Sequence, residues 1–455
     1  MKKITTLVLL TLCLVSVRTS YGQKNNVIDK AGINRMLNSG IELYQQGRLN
    51  DAISILKTAE IKDTANWRVL YWMGMSFYDL SSYYAAEECA VRAQEIISRE
   101  ENVDIDLIKL LGDVSHRLGN VDLAAKYFKQ TAELMGKKTS VDMGIPALID
   151  ACELNLKDVK SGKKSMRVIL ADAINTVDDE YAPILMNGGR DLFFTARKPE
   201  TTGNNINPDD QRYFEDMYHA QWDTVSLNWK MNKLTFSEWN TNGFDALTYV
   251  NENGLFGLCT INTSATEKTT KSSDIFEIIG EEPLKWSSMD VIKNKSINTD
   301  YFEGAASLAQ VSDNEQKMIF VSDRKGDVSG TDLYSVSRID ELWQSAERLP
   351  NEINSLGDET TPYLTEDGQF LFFSSRGLPG YGGYDIFYSQ LVDDKWSAPV
   401  NLGIEINSVN DDTHFQINTK TNQCVLASMA VRGDYFSYDL FKADMTGLNF
   451  PFLKK

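Results

Sequence analysis

Residues 353–396 read INSLGDETTPYLTEDGQFLFFSSRGLPGYGGYDIFYSQLVDDKW. The stretch opens on Ile353-Asn354 and places an acid, Glu359, five residues after the Asn. It returns to Asp385-Ile386-Phe387 and closes on Trp396. Between these markers, 360–365 is extended and Asp367-Gly368 forms a hairpin turn. Residues 370–375 then make a buried strand, 380–384 a loop and 385–389 a third strand.

The same order of markers occurs five times after residue 170. The Asn residues are Asn175, Asn240, Asn298, Asn354 and Asn407, each after Ile except Asn240, which follows Trp239. The acids are Glu180, Asp245, Glu303, Glu359 and Asp412. The third-strand markers are Asp216, Asp274, Asp332, Asp385 and Asp439, and the closing aromatics are Trp229, Trp286, Trp343, Trp396 and Phe450. A strand-rich period of 53 to 65 residues predicts one β-propeller blade per repeat. Each aromatic marker is followed by a strand except Phe450, and the missing strand stands at 166–170, ahead of the first repeat. That strand is expected to complete the last blade and remove an exposed edge. The reading favours five blades over six, in a domain spanning 166–455.

Residues 27–160 carry a helical period instead. Gly40, Gly74 and Gly112 each precede, by twelve residues, Ala52, Ala86 and Ala124. Small residues let two antiparallel helices approach, and larger apolar residues at three- and four-residue spacing fill the seam. Gly47 and Gly119 supply turns between helices, and 146–157 reads as a cap on the last apolar face. The pattern resembles the tetratricopeptide repeat over 33–134, three times. The expected architecture is therefore an α-solenoid followed by a propeller. The resemblance implies a concave groove for a peptide or partner helix, lined by Tyr44, Gln45, Arg68, Tyr71, Tyr78, Asp79, Lys109, Asp113 and His116. The polar, Gly-containing stretch 157–164 reads as a hinge between the halves.

The 455 residues carry a net charge of −18, which excludes nucleic-acid binding through clustered Lys and Arg. Residues 1–22 read as a secretory signal: Lys2 and Lys3, an apolar run over 4–17, and Ser20-Tyr21-Gly22 before the cut. No later segment is apolar enough to cross a bilayer. Cys89, Cys152, Cys259 and Cys424 have no metal spacing and read as buried small hydrophobes, with a Cys89–Cys152 disulfide the alternative.

The five acids that follow the Asn markers have two readings. Each holds a neighbouring blade's backbone, which is favoured, or together they ring one channel mouth and attract a cation or basic segment. The repeated Asp residues are expected to fix turns by accepting backbone N–H groups. Catalysis has little support: His116, His219 and His414 lie in unrelated segments, and there is no Gly-x-Ser-x-Gly elbow. No metal or cofactor is expected. Two loops, 197–214 and 377–384, stand out as recognition candidates.

The propeller repeats resemble the TolB-like and WD-like repeats of exported bacterial proteins, best over 374–389. The order signal, tetratricopeptide repeats, propeller is similar to envelope proteins of Bacteroidota, among them the PorE-like components of the type IX secretion system. Such proteins continue into an OmpA-like peptidoglycan-binding domain with no counterpart before Lys455, so peptidoglycan anchoring is not carried over. The resemblance implies a non-enzymatic periplasmic scaffold at the outer membrane, with secretion or surface-assembly proteins as partners. The alternative is an envelope protein that binds glycan or peptidoglycan through the propeller face.

Overall fold

The computed structural model describes residues 27–207, 210–233, 235–262, 273–324, 330–432 and 435–454. The expected signal segment lies outside the described residues. Eight helices come first: α1 (Val27–Gln45), α2 (Leu49–Lys62), α3 (Trp67–Asp79), α4 (Tyr83–Arg99), α5 (Ile105–Arg117), α6 (Val121–Met135), α7 (Lys137–Asp142) and α8 (Ile145–Lys160). The first six form three antiparallel pairs of tetratricopeptide-repeat type. The small residues do the work assigned to them. A Cβ on Gly40 would stand 2.6 Å from Leu56, and one on Gly112 would stand 2.7 Å from Phe128. Both partners are fully buried, so the helix pairs close only because nothing is there. Helix α8 covers Phe128 and Ala124 with Ile145 and Cys152, so the last pair is capped.

The remaining chain forms five small antiparallel sheets, the blades of a propeller. Their innermost strands are Asp179–Met186, Phe244–Val250, Glu303–Ser312, Glu359–Leu364 and Asp412–Asn418. The fifth blade takes its outer strand, Val168–Ile169, from before the first repeat, and pairs it with Tyr435–Asp444. Ring closure by the early strand is thus observed, and the five-bladed reading holds.

Each Asn marker fixes one blade to the next. The Asn354 side chain accepts from Leu333 N–H at 2.8 Å and donates to the Leu333 and Leu349 carbonyls at 3.0 and 2.9 Å. Asn407 repeats this on Ile386, Asn298 on Ile275 and Asn240 on Met217. Asn175 makes the same clamp on Leu440 of the fifth blade, locking first repeat to last. The clamped residue always follows an Asp marker, which explains why the two signals travel together.

The expected hinge does not exist as a free joint. Lys163 pairs with Asp158 at 3.1 Å, and Met166 N–H donates to the Glu405 carbonyl. The two domains also pack directly. Tyr83 of α4 packs at a tilt against Phe436 with ring centroids 4.7 Å apart, Met429 completes that cluster, and Phe436 N–H donates to the Ser81 carbonyl. Arg117 of α5 pairs with Asp411 at 3.0 Å, and the Tyr381 hydroxyl donates to Asp158 at 2.5 Å. A Gly-containing polar segment suggests flexibility when read alone, but here Asp158 is tied to Lys163 on one side and to Tyr381 of the propeller on the other.

Candidate partner-binding groove and propeller mouth

Helices α1, α3 and α5 stand side by side and carry all nine groove candidates. On α1, Tyr44 is half-buried and Gln45 exposed; on α3, Arg68 and Asp79 are exposed. Trp72, which sequence reasoning did not select, lies edge-on to both Tyr44 (5.2 Å) and Tyr71 (5.3 Å). The Tyr44 hydroxyl is hydrogen-bonded to Asp79. Lys109 is tied to Asp113 one turn along α5, at 2.7 Å. Tyr44 and Tyr71 thus meet through Trp72, and Gln45 and Arg68 are exposed on the same two helices. Tyr78 and His116 do not join them. Tyr78 is hydrogen-bonded to Arg117 and packs in the aromatic cluster at the joint. His116 is buried at the joint, its Nε2 without a hydrogen-bond partner among the described residues. Burial, then the neighbouring Arg117, lower its pKa to about 4, so it is neutral at physiological pH. Equivalence of repeat position selected both residues, but the propeller covers that end of the helices.

The five marker acids are all fully buried. Each accepts the N–H and the hydroxyl of the Thr or Ser directly after its Asn. Glu359 takes Ser355 N–H at 2.8 Å and Ser355 Oγ at 2.6 Å, and Glu303 takes Thr299 at 2.8 and 2.7 Å. Glu180, Asp245 and Asp412 do the same with Thr176, Thr241 and Ser408. The acid therefore braces the loop leading into its own strand, and the backbone clamp on the preceding blade belongs to the Asn. Three of the acids also meet a cation: Lys198 at Glu180 (3.0 Å), Arg324 at Glu303 (3.1 Å) and Arg167 at Asp412 (2.6 Å). The repeated Asp residues are less uniform than expected. Asp216 and Asp385 accept backbone N–H groups, while Asp332 holds Arg348 through both oxygens.

Burial raises Asp245 to about 7, against the pull of its bonds to Thr241. Its folded pKa lies above the unfolded value near 3.9. The contribution to stability is then fully present below pH 4 and is lost as pH rises through 7. Asp245→Asn keeps the geometry, since its amide can donate to Thr241 Oγ1 and its oxygen can accept Thr241 N–H. The variant is expected to be more stable than the parent by about 1–3 kcal/mol at pH 8 and equal to it at pH 4.5. Urea unfolding at the two pH values checks this; a variant less stable at pH 8 refutes it.

A second set of acids, missed in the sequence, lies one residue before the markers. Asp179, Asp358 and Asp411 each pair with an arginine: Arg212, Arg376 and Arg117. Asp179 also accepts Tyr438 N–H of the fifth blade, and Asp411 accepts Tyr384 N–H of the fourth. The signal was present, because the equivalent positions in the other two repeats are Phe244 and Phe302. Arg212 belongs to the 197–214 loop, of which Pro208 and Asp209 lie outside the described residues, and Arg197 holds Asp210 at 2.5 and 2.9 Å. The 377–384 loop supplies Tyr381 to the domain joint.

The aromatic markers Trp229, Trp286, Trp343, Trp396 and Phe450 pack against blade cores and form no open platform. His219 is bonded to Asp191 and Thr235 at 2.8 Å and buried against Phe193, while His414 stacks on Tyr181. The three histidines remain in separate places. All four cysteines described are free and buried. Among the described residues, no group of three His, Cys, Asp or Glu is placed to hold a metal, and no helix is long and apolar enough to cross a membrane.

No family model and no curated protein matches this chain. Among solved structures, the helical part is similar to the type III secretion translocator chaperone SycD of Yersinia enterocolitica, solved with a peptide of the translocator YopD. That match has 14% identity, covers 29% of this chain and 99% of that one, and has a TM-score of 0.26. The TPR domain of OM64 from Arabidopsis matches at 18% identity over 26% of this chain and 96% of that one, TM-score 0.24. The propeller part is similar to a thermostable family-43 glycoside hydrolase at 11% identity, over 60% of this chain and 91% of that one, TM-score 0.38. Each of these likenesses covers one part of the chain and concerns its fold alone.

Proposed function

We propose that the chain is a non-enzymatic scaffold that joins protein partners, one of them held on the concave face of its helical repeats. The observation that carries this reading is a contrast between two surfaces. The five marker acids of the propeller are buried and bonded to the backbone and hydroxyl of the loop before them, while Tyr44, Gln45, Arg68, Tyr71 and Asp79 keep exposed or partly exposed surface on α1 and α3. The propeller grips the end of that face and holds it in a fixed attitude. We place the scaffold in the periplasm at the outer membrane, in a secretion or surface-assembly machine such as type IX. That placement rests on the signal-like residues 1–22 and the order of domains.

The test is photocrosslinking in the native host from a reactive amino acid at Gln45 or Arg68, with one at Val225 on the propeller rim as comparison. Envelope proteins captured specifically from the groove positions support the reading. Groove positions that capture nothing beyond the rim comparison overturn it.

A further inference from the structure

The chemistry of the groove specifies what kind of segment it takes, an inference that rests on the scaffold reading above. Tyr44, Trp72 and Tyr71 form an edge-to-face array along the floor, drawn from two neighbouring helices. All three rings are partly exposed, and an exposed ring face attracts a cation. Carboxylates surround the array. Asp79 is bonded to Tyr44 at one side, and Asp106 and Asp113 of α5 stand at the other, with Asp104 at the start of that helix. All four act on the Tyr71 phenol, raising its pKa beyond the effect of burial, so they converge on it. The nearest cation of α5, Lys109, is already paired with Asp113.

We propose that this face binds an extended, lysine- or arginine-bearing segment of the partner, its cation seated on the Tyr71–Trp72–Tyr44 array between Asp79 and Asp106. Two independent features agree on that ligand: aromatic faces that favour a cation, and an excess of carboxylates that favours positive charge. Against Asp79, Asp104, Asp106 and Asp113 the groove candidates include two cations, Arg68 and Lys109, so the balance of charge disfavours an acidic segment, and a purely apolar one leaves the carboxylates facing it without compensation.

The probe is a fluorescein-labelled decapeptide of alternating lysine and alanine, titrated with the full chain and followed by anisotropy, beside its glutamate counterpart. The lysine peptide is expected to bind and the glutamate peptide not. Asp79→Asn with Asp106→Asn, both exposed positions, is expected to weaken binding about tenfold. Asp122→Asn with Glu133→Gln, exposed on α6, removes the same charge elsewhere and is expected to leave affinity unchanged. Equal weakening in the two double variants means diffuse attraction to an acidic chain and overturns the proposal. So does failure of the lysine peptide to bind, or full affinity in the Asp79/Asp106 variant. If groove crosslinks still capture a partner in that event, the scaffold reading stands and only the cation preference falls.

Discussion

Arg167→Ala is expected to destabilise the propeller by about 3–5 kcal/mol at pH 8, the range for removing one member of a buried ion pair. Arg167 reaches Asp412 at 2.6 Å and Ser428 Oγ at 2.7 Å, and its guanidinium lies 5.2 Å from the Phe441 ring. Asp412 has no exposed surface. Burial already pushes its pKa above the usual carboxylate range, while Arg167 pulls it back. Without Arg167 the carboxyl rises further. A raised carboxyl stabilises the fold only where it is protonated, so the deficit of the variant is largest at high pH and shrinks as pH falls. Urea unfolding followed by tryptophan fluorescence at pH 5 and pH 8 measures both parts. A deficit below 1 kcal/mol at pH 8, or one independent of pH, refutes the account.

Arg117→Ala is expected to separate the two domains energetically. Arg117 is hydrogen-bonded to Tyr78 within the repeats and pairs with Asp411 on the propeller, and both members of the pair are largely buried. Its loss leaves Asp411 with Tyr384 N–H but without a counter-charge, at a cost of about 2–4 kcal/mol to the joint. In the parent, helix and propeller signals are expected to melt in one transition. In the variant, circular dichroism at a helical wavelength is expected to fall several degrees before tryptophan fluorescence changes, both read in a Trp67→Phe/Trp72→Phe background that confines tryptophan to the propeller. A single unsplit transition, shifted or not, shows that the aromatic contact of Tyr83 with Phe436 holds the domains without the ion pair.

Much of this fold was legible in the chain because each blade repeats the same local chemistry. An Asn must clamp the strand behind it and an acid must brace the loop ahead, so both survive at fixed spacing even where Trp239 replaces Ile. The strand before the first repeat was legible for the same reason: one blade lacked a part. The acid's partner was misassigned because it lies only four residues back, as with Glu359 and Ser355, and a marker of a repeat suggested a contact between repeats. The domain joint was not legible at all. Arg117 and Asp411 lie 294 residues apart, and Arg117 occupies a position whose repeat equivalents are Gln45 and Asp79. Tyr78 and His116 were read as groove residues by that same equivalence, which has no knowledge of a second domain pressing on the helix ends. The edge-to-face set around Trp72 went unseen because a Trp among apolar residues reads as core.

The pairing of Val168 with Lys442 and of Ile169 with Phe441 has a consequence for how the protein is made. A ribosome delivers the outer strand of the fifth blade before any of the blade it belongs to. Four blades can be complete while that strand and Arg167 wait for the fifth, which brings the buried carboxylate that Arg167 neutralises. During that interval the nascent ring has two open ends, and each is able to recruit a stranger. The non-local pairing that closes the ring has to wait until the fifth blade has been translated. A chain held extended until its last hairpin is available avoids that interval altogether, which makes delayed folding an advantage rather than a hazard for this architecture.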